Sequence, residues 1–315
     1  MRNWWWCLLL PTLAIGQTVD EVKALYRDGR IADARRAAEQ LLKKNGEDAD
    51  AHYWMAAVLM HREIRDLEGA SDHIEEAVDR NPNNADYQYL LGGIYGQTAS
   101  SAGIFKQAFL APKIKKAFLR AVELDPNHVE ARISLAQYYL MAPGIMGGDD
   151  EEGFRQLDEA TKRNERRGRL AKAAMLERKN RLPEAEEQLK ALTASLPTDW
   201  IPHKNLGYFY LRRNRFDESL RSMQRYVALR PDTSDAFDSF GEVQLAAGRT
   251  DDAIITLKKG LAIEPNLGSS LFLLGQAYEK KGMKAEAKEA YQKAILNDRS
   301  EQRKKLAVER LKALE

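Results

Sequence analysis

Asn205-Leu206-Gly207-Tyr208-Phe209-Tyr210 has a counterpart 34 residues on, Ser239-Phe240-Gly241, and another 34 further, Leu273-Leu274-Gly275-Gln276-Ala277-Tyr278. The same phrase stands much earlier as Leu90-Leu91-Gly92-Gly93-Ile94-Tyr95. A large apolar residue, then glycine, then usually tyrosine three further on, share one face of a helix. Glycine inside a helix costs roughly 1 kcal/mol relative to alanine. Its return at one position therefore predicts the close approach of a neighbouring helix backbone. A second periodic segment follows each phrase. It carries Ala70, Ala253 or Ala287, then Ile74 and Ala77, Leu257 and Gly260, or Tyr291 and Ala294 at the fourth and seventh places beyond. That is a second amphipathic helix with a small-large-small seam. Gly248, Gly282 and the equivalent Asn214 are expected in the left-handed conformation that separates the two helices.

The prolines keep the same beat. Pro197, Pro231 and Pro265 are 34 apart, and Pro82 and Pro126 stand in matching phrases, Asn81-Pro82-Asn83 and Asp125-Pro126-Asn127. Proline cannot continue a helix, so each marks a helix end and a turn. A two-helix unit of this length and pattern resembles the tetratricopeptide repeat (TPR). Trp54, Ala70, Ala77 and Pro82 fit its signature in the second unit, and Leu274, Gly275, Tyr278, Ala287, Tyr291 and Ala294 in the eighth. Ser219 stands where alanine is usual, and the fifth unit fits so poorly that its register is open by two residues. The expected fold is all-α: a right-handed α-solenoid of about eight helix-turn-helix repeats over 17–299, closed by a C-terminal capping helix at 300–315. Leu306, Leu311 and Leu314 would form the inner stripe of that helix, with Ser300 as its N-cap.

Two units carry extra residues. From Pro82 to Pro126 is 44 residues, and the surplus falls near 96–112, where Ile104, Phe105, Phe109 and Leu110 are expected to find burial in an extended second helix or flap packed on the solenoid, the alternative being a lip over the binding groove. The second insertion, near 141–150, reads Ala142-Pro143-Gly144-Ile145-Met146-Gly147-Gly148 before Asp149-Asp150-Glu151-Glu152. A glycine-rich turn before a helix can cradle phosphate, but here the acids already occupy the positive helix end and repel an anion. This pair of insertions is similar to that of a group of exported bacterial TPR proteins.

The N-terminus points the same way. Residues 1–16 carry one basic residue, an uncharged run from Trp4 to Gly16, and small residues Ala14 and Gly16 before Gln17. That is the layout of a signal peptide, too short for a spanning helix of about 20 residues. The expectation is an exported protein, periplasmic or secreted, with no stable membrane insertion once the segment is removed. Whether the segment is kept as an anchor, and the oligomeric state, are left open.

The composition discourages catalysis. Among 315 residues there are five histidines and one cysteine, and 49 basic against 47 acidic residues. The histidines form no metal-ligand spacing; His61 and His73 fall on different helices. No nucleophile motif is present. No catalytic residue, cofactor or metal is therefore expected. The basic cluster Lys162, Arg163, Arg166, Arg167, Arg169 and Lys172 is interleaved with Glu165 and Glu177, and nucleic acid is not expected as a partner.

The resemblance implies that the first helices line a concave groove for a protein or peptide. Carried onto this sequence, the groove residues are Arg178, Lys204, Tyr208, Arg212, Asp235, Asp238, Glu242, Phe272 and Gln276. Lys204 and Arg212 would receive an acidic stretch of the partner, and Tyr208 and Phe272 would be apolar anchors. Lys204 matches the first lysine of the family's carboxylate clamp, but Tyr208 replaces the required asparagine. The function expected is an exported TPR scaffold or adaptor; the alternative is an accessory subunit that positions substrate for an exported enzyme or for a secretion or envelope assembly machine.

Overall fold

The computed structural model describes residues 18–314; the expected signal segment lies outside them. Among the described residues there are seventeen α-helices and no strand. They fall into two compact units that meet in sequence at Asn164 and Glu165. The first holds four hairpins: α1 (Val19–Arg27) with α2 (Ile31–Lys44), α3 (Ala49–Met60) with α4 (Leu67–Arg80), α5 (Ala85–Ser100) with α6 (Ile104–Leu124), and α7 (Val129–Met141) with α8 (Asp150–Arg163). The second holds α9 (Glu165–Arg178) with α10 (Leu182–Ser195), α11 (Trp200–Leu211) with α12 (Phe216–Leu229), α13 (Ser234–Ala246) with α14 (Thr250–Ile263), and α15 (Gly268–Lys280) with α16 (Lys284–Asn297), then α17 (Glu301–Ala313). The expected all-α repeat fold is thus present, each helix packing first on its hairpin partner and then on the next hairpin of its unit.

The punctuation works as the residue types require. Pro82, Pro126, Pro197, Pro231 and Pro265 each stand two residues past a helix end. Asn180, Asn214, Gly248 and Gly282 all have positive φ, at 58°, 55°, 76° and 72°, and each is 34 residues from the next. The fifth unit is therefore in step with its successors. Its register was obscure because its helices lack the glycine and tyrosine of the other copies.

The recurring helix glycine has a different cause from the one expected. A Cβ at Gly207 would meet Met223 at 2.8 Å, at Gly241 Leu257 at 2.6 Å, and at Gly275 the Tyr291 ring at 2.6 Å. What comes close is a large side chain of the second helix, not its backbone. Ser219 replaces alanine without penalty, because its Oγ donates to the Gly207 carbonyl at 2.8 Å.

Both insertions add local structure. The first lengthens α5 and α6, so that α6 runs 21 residues through an internal Pro112. Leu110 is buried, but Ile104, Phe105 and Phe109 are 61%, 90% and 63% exposed. The expected burial fails for these three because the core takes Leu110, Ile114, Ala117 and Phe118 from the opposite face of α6. The second forms a self-packed turn: Gly147 has φ 86°, a Cβ on Gly148 would overlap the Ala142 carbonyl, and Asp149 caps α8 by accepting from Glu152 N–H at 3.0 Å. At the C-terminus Ser300 caps α17 as expected. The inner stripe of α17 is Ala307 and Leu314 rather than Leu306, which is 41% exposed.

Candidate functional site

In the second unit the first helices α11, α13 and α15, followed by α17, pack in succession. Helical spacing puts Asp235, Asp238 and Glu242 along one side of α13. Three residue sets from the neighbouring helices meet them.

At one end, Lys204 of α11 pairs with Asp235 at 2.7 Å. Its ammonium also lies over the Tyr226 and Trp200 rings, 5.5 and 5.9 Å from their centroids. Tyr226 donates to the same carboxylate. Burial alone would raise Asp235, but Lys204 and Tyr226 outweigh it and hold the carboxyl below its usual range.

In the middle, the Tyr208 hydroxyl is 3.0 Å from a Glu242 carboxylate oxygen and 3.1 Å from Ser239 Oγ. Ser270 Oγ of α15 donates to Asp238 at 2.6 Å. Burial raises both Asp238 and Glu242 above ordinary carboxylates. Neither has a cation at ion-pair distance among the described residues. At the other end, Glu242, Gln276, Glu279, Lys280 and Arg310 line a cavity of about 430 Å³ floored by Leu245 and Leu273. Tyr291 donates to Glu279 at 2.7 Å, and Arg310 of α17 reaches Glu279 at 3.4 Å.

The structure thus brings together Lys204, Tyr208, Asp235, Asp238, Glu242 and Gln276 of the nine expected residues. Arg212 is turned to α9, where Glu177 accepts from it twice at 2.8 and 2.9 Å. Arg178 is exposed. Phe272 is 7% exposed, with its ring against Tyr291; it is core, not an anchor, because its helix turns that position toward α16. Lys204 and Arg212 each hold an acid of the chain itself, so the expected landing place for an acidic partner stretch is already filled. Glu177, Ser270 and Arg310 leave no local signal in the sequence, because each acts across repeats, about 30 or more positions from its partner.

Other candidates resolve into ordinary packing. His73 meets His52 rather than His61, with Nδ1 atoms 2.9 Å apart, and His52 Nε2 is 3.0 Å from the Gly46 carbonyl. Burial, then His52, lowers His73. No group of three ligating side chains occurs among the described residues. In the basic cluster Lys162 and Arg163 share Glu159, Arg166 holds Asp199, and Arg169 holds Glu165. The two insertions share a cavity of about 490 Å³ lined by Gly92, Gly96, Ile114, Phe118, Met141 and Met146, with polar Gln107 and Gln137 at its side.

One family model described as tetratricopeptide repeat matches residues 19–85 and 204–267, and a second of the same description matches 268–301. Together these cover just over half of the chain. The chain belongs to the tetratricopeptide repeat family. Solved structures agree in fold. Yeast Tom70 superposes with a TM-score of 0.66 at 16% identity over 91% of this chain, which spans 59% of the Tom70 chain. A thermophilic TPR protein of Thermus thermophilus gives 0.51 at 20% identity, over 61% of this chain and 97% of that one. A tetratricopeptide repeat protein from Parabacteroides merdae gives 0.50 at 14% identity, over 94% and 96%. A search of curated proteins returned no match. TPR proteins are in general protein-interaction scaffolds and typically not catalysts. In this one, polar side chains of the first helices α11, α13 and α15 meet along the strip from Lys204 to Gln276.

Proposed function

We propose that this TPR protein is an exported, non-enzymatic scaffold or adaptor, and that the α11–α13–α15 strip holds a basic segment of its protein partner. One observation carries the reading. Asp238 and Glu242, a turn apart on α13, are half-buried carboxylates bonded to hydroxyls and not to cations. Arg303 acts on both, and Lys204 on Glu242, only from beyond ion-pair distance, and a buried charge without a directly paired counter-charge is costly. A lysine or arginine from a partner supplies it, and the Glu242–Gln276 cavity takes the neighbouring side chain. Charge complementarity of this kind governs association rate and register more than raw affinity. The sequence of Met1 to Gly16 supports export.

The test uses fluorescent extended peptides matched in length, one set lysine- and arginine-rich, one glutamate-rich. The basic set binds, and Asp238→Asn/Glu242→Gln weakens it about tenfold or more. Preference for the acidic set, or basic binding unchanged in the double variant, removes the reading. Export is checked separately by fractionation and N-terminal sequencing: a mature chain starting at Gln17 is expected, and intact protein in the cytoplasm overturns it.

A further inference from the structure

We propose that the first half of α6 is a docking element for the surface of an anionic phospholipid bilayer. The observation is an apolar helix face that the fold leaves bare and that basic side chains surround.

Phe105, Ala108, Phe109 and Pro112 follow the spacing that places residues on one side of a helix, and all four are exposed. Phe105 is 90% exposed and Phe109 63%, with Ile104 beside them at 61%. Single exposed apolar residues need no explanation, but a cluster of this kind marks an interaction surface. The repeat does not require it. The extra residues create these turns, and the hairpin core is filled by the other face of α6 through Leu110, Ile114, Ala117 and Phe118.

The charge says what covers the face. Over Ile104 to Lys116 the chain carries Lys106, Lys113, Lys115 and Lys116 and no acid, and Gly96 to Gly103 is uncharged; further along α6, Arg120 pairs with the helix's one acid, Glu123. The α6 N-terminus has no acid in its first turn and no side-chain cap, so its positive dipole end adds to the field. The Lys113 ammonium sits 4.8 Å from the Phe109 ring centroid, at the border of the apolar face. From there a long stem can reach outward while its carbons stay on the ring. The α4 acids Glu68, Asp72 and Glu75 line a cleft with Lys106 and Lys113 on one border of the apolar face, so the other border, with exposed Lys116, is the side free of acids. A phenylalanine-rich face bordered by lysines is the pattern of a helix lying in a lipid headgroup layer, where buried apolar area and attraction to anionic lipid act together. A second copy of this chain would set lysines against lysines. No helix among the described residues is long and apolar enough to cross a membrane, so the contact is with the surface.

The test reads α6 itself, since the apolar stretch near the N-terminus is also expected to meet membranes. In the full chain, Cys7→Ser with Ala108→Cys gives one thiol for an environment-sensitive nitrobenzoxadiazole label. Vesicles of equimolar phosphatidylglycerol and phosphatidylcholine should raise its emission severalfold, and phosphatidylcholine alone should not. Phe105→Asp/Phe109→Asp should abolish the response, and Lys113→Glu/Lys116→Glu should weaken vesicle affinity more than about tenfold. The same label at Ile255→Cys, on an exposed site of the second unit, should stay silent. Ala108, Phe105, Phe109, Lys113, Lys116 and Ile255 are all exposed, so circular dichroism melts of the variants should match that of the Cys7→Ser parent. A silent label at position 108, an equal response to neutral vesicles, or a response that survives the phenylalanine changes overturns the proposal. A label that answers to polyglutamate but not to vesicles makes the face a protein-docking surface, and the lipid assignment falls.

Discussion

Gly275→Ala and Gly93→Ala put the packing logic to a direct test. Both glycines lie inside helices, α15 and α5, so both substitutions gain the same helix propensity, roughly 1 kcal/mol at most. A Cβ at Gly93 meets nothing within 4 Å, whereas one at Gly275 would lie 2.6 and 2.7 Å from two carbons of the Tyr291 ring. That ring has no exit. Tyr291 is 0% exposed, and its hydroxyl is tied to Glu279, one turn further along the helix that holds Gly275. Overpacking of this kind costs about 1–3 kcal/mol, and the locked ring argues for the upper half of that range. Gly93→Ala is therefore expected to stabilise by about 0.5–1 kcal/mol, and Gly275→Ala to destabilise by roughly 1–2 kcal/mol after its propensity gain. Urea unfolding followed by circular dichroism measures both. Hydrogen exchange of α15 and α16 amides localises the loss, which matters because repeat arrays need not unfold in one step. Tyr291→Ala, which removes the ring, should abolish the cost of Gly275→Ala in a double-mutant cycle; Tyr291→Leu should not, since Leu257 stands just as close to Gly241 in the preceding repeat. Equal shifts of the same sign for the two alanine variants, or full additivity with Tyr291→Ala, would refute the reasoning.

Three more outcomes are expected. Glu242→Gln should slightly stabilise the protein at neutral pH while weakening basic-peptide binding; burial raises the native carboxyl, so the stability gap to wild type should close as pH falls through that raised value toward the ordinary range, and a gap that widens in melts across this window contradicts the assignment. Glu186 is held at about 2, chiefly by Arg215, against burial and with help from Lys190 and Tyr210; its stabilisation is whole above the unfolded value near pH 4 and fades from there toward pH 2, so Glu186→Gln should cost about 1–2 kcal/mol at pH 7, allowing for solvent at Arg215, and flatten acid unfolding in that window. Phe272→Ala should cost about 3–4 kcal/mol in chemical unfolding; a loss of partner affinity at unchanged stability would return it to the groove.

The repeat was readable because its signals are local. Proline two residues past a helix end, glycine or asparagine at the left-handed turn and apolar spacing within a helix depend on neighbours a few residues away, and a fixed period multiplies them. The first-helix strip was half readable. Tyr208, Asp235, Asp238 and Glu242 could be placed on a face, but whether a charge there is available depends on partners a repeat away. Arg212 looks open until Glu177 is set beside it, and Lys204 until Asp235 is.

The same division runs through the insertions. Composition along the chain dictated helices, their ends and their order, since each follows from backbone chemistry and the spacing of apolar side chains. Which side chains lie bare was settled only by packing. Phe272 and Phe105 are alike as residues, yet one fills the space beside Tyr291 and the other stands in solvent. Burial is a property of what lies opposite, and no stretch of sequence carries its own opposite face.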